Sequence, residues 1–401
     1  MLIERPDYIR QMEPFKDKSI IKILTGMRRS GKSTLLHLYQ NNLKESGVTE
    51  EQIIHINMED LENEKLKDYH TLNEYIQKRL LPNQRMYLFI DEIQEVDAFE
   101  RLLSSLRLNE NLDIYVIGSN SRMLSGELAT LLSGRYVEIS VYPFSFKEYL
   151  QYLPGEKNER FQQYLRSGGL PDAVDLEKDA RYKYLEGIFN TVLLRDIVQR
   201  KQIADVSLLD SLSRYLSDNI SNPIAPKRLA DYLTSSGRKT TPKTVESYLS
   251  AFSEAFLVYP VHRYDLRGKE ILQREKKYYF ADIGLRQFLI DDQFRDLGRI
   301  LENIVFLELK RRGYTVYTGK NKELEIDFVA EKGADIRYYQ VSASVMDESI
   351  LERELRPFST LKDNYPKVLL TLDPLPMTGG GIIHKNIIDF LLEDPSRPAS
   401  I

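Results

Sequence analysis

The octapeptide Gly26-Met27-Arg28-Arg29-Ser30-Gly31-Lys32-Ser33 constrains this chain more than any other stretch. It fits G-x-x-x-x-G-K-[ST] without mismatch. It follows the apolar run Ile20-Ile21-Lys22-Ile23-Leu24 and opens a helical stretch, Thr34-Leu35-Leu36-His37-Leu38-Tyr39. Glycines at the two ends let the backbone curl until successive N–H groups converge on phosphate oxygens, and the helix N-terminus adds a partial positive charge. Residues Gly26, Met27, Arg28, Arg29, Ser30, Gly31, Lys32, Ser33 and Thr34 are therefore expected to cradle a nucleotide. Lys32 is expected on the β/γ-phosphates and Ser33 on Mg²⁺.

A strand–loop–helix unit needs a sheet around it. Further short apolar runs follow at Ile53–Ile56, Met86–Ile90 and Ile114–Ile117, and Val137–Val141 comes after them. The first four runs are nearly continuous in apolar character, as strands buried on both faces are, and 20–30 residues separate them, enough for crossover helices. This predicts an α/β domain with a mainly parallel sheet. The third run ends in Asp91-Glu92, at the carboxyl edge where the phosphate loop also lies. Asp91 is expected to hold Mg²⁺ through water and Glu92 to act as general base. The fourth run ends in Gly118-Ser119-Asn120-Ser121, and Asn120 is the candidate to reach the γ-phosphate or the attacking water. Arg135, in Ser133-Gly134-Arg135-Tyr136, is a candidate arginine finger, in cis or toward a neighbouring subunit, with a structural salt bridge as the alternative.

With 401 residues the chain is too long for one ordinary domain. The pattern divides it at 1–150 (the phosphate-loop domain), 151–221 (a helical linker or lid), 222–285 and 296–390. There are 56 basic and 60 acidic residues, so no strong overall field draws the chain to nucleic acid or membrane. The absence of cysteine excludes disulfides, thiolate nucleophiles and cysteine-ligated metal. The N-terminus is charged and no apolar run reaches the roughly 18 residues a membrane span needs, so a soluble, cytoplasmic protein without a membrane partner is expected.

These residues resemble the AAA+ superfamily of P-loop ATPases. The wording Phe89-Ile90-Asp91-Glu92-Ile93-Gln94, Gly118-Ser119-Asn120-Ser121, Ser133-Gly134-Arg135-Tyr136 and Tyr142-Pro143-Phe144-Ser145-Phe146-Lys147-Glu148-Tyr149 is similar to a prokaryotic family that joins an AAA-type ATPase to a C-terminal domain of unknown function, DUF4143. The resemblance implies an α/β protein: a P-loop domain with a parallel sheet, a winged helix and a restriction-endonuclease-like α/β domain, with ATP and Mg²⁺ as cofactors and a homo-oligomer as an assembly to expect. The expected activity is ATP hydrolysis that rearranges the appended domains, on DNA or on another partner. A nucleotide switch without turnover and an ATP-regulated nuclease are the alternatives.

Two appended features follow from the residues. Between 225 and 280, eleven basic residues face six acidic ones, in the order helix, turn, helix, hairpin. Arg238, Lys239 and Lys243, at the start of the second helix, are the candidate DNA contacts, with Arg267-Gly268-Lys269 at the hairpin tip. Farther on, Glu302 and Asp327 match the helix and strand acids of the PD-(D/E)XK nuclease core, but Gln340 stands where an acid is expected and Ser342 where a lysine is. A neutral amide binds Mg²⁺ more weakly than a carboxylate, so a degenerate domain that does not cleave DNA is expected.

Overall fold

The computed structural model describes residues 3–120, 132, 134–199, 203, 205–268, 270–290, 296–375 and 381–394. The chain divides into two compact units: Met1–Pro143 with Glu254–Phe256, and the remainder.

The first unit is built on five parallel strands: β1 (Ile21–Thr25), β2 (Ile53–Asn57), β3 (Met86–Asp91), β4 (Leu112–Gly118) and β5 (Tyr136–Ser140), in the order β2-β3-β4-β1-β5. Every residue of β1, β3 and β4 is buried, because helices cover both faces. On one face α1 (Pro6–Met12) and α2 (Lys32–Glu45) pack Tyr8, Met12, Leu35, Leu36 and Tyr39 against Leu24, Phe89 and Tyr115. On the other, α3 (Tyr69–Gln77) and α4 (Phe99–Leu106) bring Leu72, Ile76, Leu102 and Leu106 onto Ile23, Leu88 and Val116. Because the strands are parallel, Thr25, Asn57, Asp91, Gly118 and Ser140 all end at one edge, which becomes the ligand edge of such a sheet.

One residue of β1 contradicts its apolar surroundings. Lys22 is fully buried and its ammonium pairs with Asp113 on β4, also fully buried. It lies 4.5 Å from the Tyr115 ring centroid and donates to Ile20 O at 3.0 Å. Asp113 in turn accepts from Tyr115 Oη (3.0 Å) and Asp17 N (2.9 Å).

The second unit opens with α5 (Phe146–Tyr152), α6 (Lys157–Ser167) and α7 (Lys178–Thr191), the last running on as a π-helical stretch, Val192–Gln199. Then come α8 (Val206–Asp218), α9 (Pro226–Ser235), α10 (Pro242–Glu254) and the antiparallel pair β6 (Val258–Asp265) and β7 (Glu270–Phe280). After α11 (Ile283–Ile290) and α12 (Leu297–Arg311), strands β8 (Thr315–Asn321), β9 (Leu324–Lys332) and β10 (Asp335–Val341) form an antiparallel meander. Helix α13 (Glu348–Ser359) leads to β11 (Lys367–Thr371), parallel to β10; β12 (Ile382–Asn386) and α14 (Ile387–Leu392) finish the described chain.

The helix–turn–helix–hairpin order expected from the sequence is present. Thr241 Oγ1 caps α10 by accepting from Thr244 N (3.2 Å), and Pro242 opens the helix. The hairpin, however, does not stand apart. Strand β6 pairs in parallel with β8, so β6 and β7 are the last two strands of one seven-stranded sheet, β12-β11-β10-β9-β8-β6-β7. Among the described residues no helix is long and apolar enough to cross a membrane.

Candidate functional site: the phosphate loop and a second acidic cluster

The phosphate loop is forced into its shape by close approach. Gly26 has φ 140° and a Cβ there would lie 2.1 Å from Val141 O; Arg29 and Gly31 also have positive φ, 64° and 90°. These turns curl the loop between β1 and α2. Lys32, buried, donates to Gly26 O (2.8 Å) and Met27 O (2.9 Å), within its own loop. Ser33 and Thr34 are exposed on the first turn of α2. The loop is braced from a place the sequence did not advertise. Arg5, only 3% exposed, donates to Ser30 O (3.1 Å) and to Tyr142 O (2.8 Å), tying the loop to the segment after β5.

At the end of β3, Asp91 and Glu92 are buried at the same sheet edge. Among the described residues, Asp91 Oδ1 has no hydrogen-bond partner, and neither does the buried Ser30 Oγ. Orphaned polar atoms of this kind carry a desolvation cost that a ligand can relieve, so the donor set fits a hydrated Mg²⁺ and phosphate oxygens. Glu92 sits in the left-handed region, φ 54° and ψ 48°, an uncommon place for a non-glycine residue and one that clusters at functional sites. Its Oε2 accepts from Ser119 Oγ (3.0 Å) and from the Gln94 amide. Burial holds the Glu92 carboxyl above the ordinary glutamate range; Lys32 and Arg28 pull against it, and Asp91 adds repulsion. Lys32, Arg28, Asp91 and Glu92 thus share one electrostatic field.

The remaining sequence candidates fall differently. Asn120 is buried just beyond β4, but the strand-end hydroxyl that reaches Glu92 belongs to Ser119. Ser119 stands in the same tetrapeptide that singled out Asn120; Gln94 stands in the Phe89–Gln94 stretch that carries the resemblance, which assigns it no role. Arg135 is not brought to the loop. It precedes Tyr136, which pairs with Ile21 at the start of β1, whereas the loop follows Thr25 at the other end. Five strand residues at about 3.3 Å each separate the two edges. The cis arginine-finger expectation is therefore corrected: Arg135 is exposed at the opposite edge of its own sheet.

In the second unit Arg238, Lys239 and Lys243 are exposed, and Arg238 donates to Ser207 O (2.9 Å). Of the basic residues counted with them, Lys277 is buried and contributes nothing to a surface patch. Its ammonium bonds Glu302 Oε1 (3.0 Å) and Glu325 Oε1 (2.7 Å), and Tyr279 Oη donates to the same Glu302 oxygen (2.6 Å). Burial pulls the Lys277 pKa down, but Glu302, Glu325 and Asp327 outweigh it and hold it charged. Asp327 is pushed well above the usual aspartate range by burial and by Glu302; its Oδ2 accepts from Val341 N (2.8 Å). Gln340 Oε1 accepts from Asp327 N (3.2 Å) and its amide donates to Glu354 Oε2 (3.0 Å). Glu302, Asp327 and Gln340 thus lie in one cluster, which by itself does not make a nuclease centre. The cation beside the acids comes from β7 and not from position 342, where Ser342 donates to Ser344 O.

The comparisons agree with the first half of the chain and revise the second. Residues 18–150 match the model of an AAA domain. Residues 158–296 match a domain of unknown function, DUF8612, which corrects the expectation of DUF4143. An uncharacterized protein of Haemophilus influenzae is 38% identical over 98% of this chain and 99% of its own length. The uncharacterized protein MJ1544 of Methanocaldococcus jannaschii is 31% identical over 86% of this chain and 79% of its own. Among solved structures, the Aeropyrum pernix ORC1 protein in complex with DNA is 14% identical, covering 72% of this chain and 92% of that one, at a TM-score of 0.32, a likeness too loose to bear on fold or function. The chain belongs to the same family as these two relatives, and within its first unit residues 18–150 match an AAA domain.

Proposed function

We propose that the protein is a Mg²⁺-dependent ATPase whose nucleotide cycle acts on the second unit. The observation that carries this reading is Glu92: a buried carboxylate beside Asp91, in the field of Lys32, oriented by Ser119 and Gln94. Two hydrogen bonds on Oε2 leave Oε1 to take a proton from water. Loop N–H groups and Lys32 hold the phosphates. Ser33 and Asp91 hold Mg²⁺, which when bound supplies charge neutralisation at the phosphate oxygens. Lys32 must leave Gly26 O and Met27 O to do so. Lys32→Ala is expected to weaken ATP binding about ten- to a hundredfold, the loss of one hydrogen bond to a charged group. Calorimetric titration with ATP and Mg²⁺ measures this, and unchanged affinity would remove the phosphate-loop reading. Arg135, exposed at the far sheet edge, is proposed to serve a neighbouring subunit's nucleotide in a homo-oligomer.

A second reading, DNA contact through the start of α10, is favoured by the exposure of Arg238, Lys239 and Lys243. Changing all three to Glu should flatten the salt dependence of DNA binding, since each phosphate contact contributes a slope of about −0.9 in log K against log salt. Fluorescence anisotropy on a labelled duplex reads the slope; equal slopes for parent and variant would clear this helix of DNA contact.

A further inference from the structure

Helices α5, α6, α7 and α11 enclose a cavity of about 530 Å³ within the second unit. That volume suits a small molecule. Its walls are mostly apolar, with Tyr149, Leu153, Val174, Leu185 and Phe288 among them. Tyr182 adds a third ring, 4.9 Å from Phe288 between centroids.

Two residues of this lining each carry a buried polar atom with no hydrogen-bond partner among the described residues: Gln287 through Oε1 and Arg181 through Nε. Gln287 is 8% exposed. Its Nε2 donates to Leu165 O (3.5 Å), which fixes the amide: the reversed orientation would set two carbonyl oxygens against each other. Arg181 donates through a terminal nitrogen to Leu176 O, and burial lowers its pKa with no carboxylate bonded to it. A guanidinium drawn partly out of water with no anion bonded to it among the described residues is an arrangement that a bound anion relieves.

The wall that carries Gln287 is rigid. Asp282 accepts from Gly169 N (2.6 Å) and Leu285 N (3.1 Å), so the start of α11 is clamped to the end of α6. A Cβ on Gly284 would lie 2.2 Å from Ser167 O. A cavity with such walls is built and not a packing fault. Among the other lining residues, exposed Arg166 and Lys178 are offset in charge by exposed Asp175 and Glu177, so their net charge does not select a highly charged ligand.

We propose that this cavity binds a small, planar, largely apolar monocarboxylate, whose anion meets Arg181 and whose hydroxyl or N–H donates to Gln287 Oε1. Burial of the rings supplies affinity, and the two orphaned atoms supply orientation.

The test uses the full chain and three probes: 6-hydroxy-2-naphthoate, 2-naphthoate and 2-naphthol, titrated by calorimetry. Both carboxylates should bind at one site, with 2-naphthol at least about tenfold weaker, as expected for one lost charge-assisted hydrogen bond. Arg181→Met should abolish that preference for the carboxylate, and Arg181→Lys should keep part of it. Gln287→Met should abolish any advantage of 6-hydroxy-2-naphthoate over 2-naphthoate. Without a probe, Arg181→Met should melt no lower than the parent, a result that a structural role for Arg181 would not give. Absence of saturable carboxylate binding, or a carboxylate preference that survives Arg181→Met, would overturn the proposal.

Discussion

Glu92→Gln is expected to bind ATP as the parent does and to hydrolyse it about 10²–10⁴ times more slowly, the usual contribution of a general base. The amide keeps the size of the carboxylate and can still accept from Ser119 Oγ, so the loop and the phosphates lose nothing. What it cannot do is take the proton of the attacking water. Single-turnover hydrolysis with prebound ATP isolates this step from binding. Near-parental turnover would move the base elsewhere on the sheet edge. The same residue sets a pH dependence. Burial raises the Glu92 pKa, so more acid remains protonated at a given pH than for an exposed glutamate. The acid limb of kcat/KM should therefore fall at a higher pH than an ordinary glutamate would dictate. Ser119→Ala removes one hydrogen bond to the charged form and should move that limb higher still.

How much of this was readable beforehand depended on whether a signal was local. The strand–loop–helix around Lys32 is local: its glycines, its lysine and the apolar run before it lie within about a dozen residues, and the structure places them as expected. Asp91 and Glu92 were readable because parallel strands end at a common edge. The start of helix α10 is local too, with Thr241 and Pro242 adjacent in sequence. Pairings between distant strands carry no such mark. Nothing in Val258–Asp265 says that it will pair with Thr315–Asn321, so the hairpin read as a separate wing. Lys277 misled for a related reason. A lysine in Glu275-Lys276-Lys277 looks solvated, and only the fold brings Glu302 and Glu325 to it from α12 and β9. Arg5 belongs to the same class: its carbonyl partners, Ser30 and Tyr142, are 25 and 137 residues away.

Lys22 offers the other large effect, on stability. It lies between Ile21 and Ile23 in a fully buried strand, and burial lowers its pKa while Asp113 works to restore it. Removing one member of a buried ion pair typically costs about 3–5 kcal/mol, because the other charge is left without compensation. Asp113→Ala should destabilise the first unit by about that amount. It strands Lys22 and also deprives Tyr115 Oη and Asp17 N of their acceptor. The sign of the pH dependence follows. In the variant, the unpaired lysine has a folded pKa below its unfolded value, so the unfolded chain binds more protons and stability rises with pH up to the unfolded pKa, about 10.4. Urea unfolding at pH 7 and pH 9.5 should show the deficit against the parent shrinking at the higher pH. Lys22→Met combined with Asp113→Leu replaces the pair by apolar groups of similar volume, an exchange that is often neutral or stabilising. The double variant should recover most of the loss, short of the part due to Asp17 N, since Tyr115 Oη still has Tyr39 Oη at 3.1 Å. If the double variant were no more stable than Asp113→Ala, the cost would lie in the Tyr115 and Asp17 contacts and not in the stranded charge.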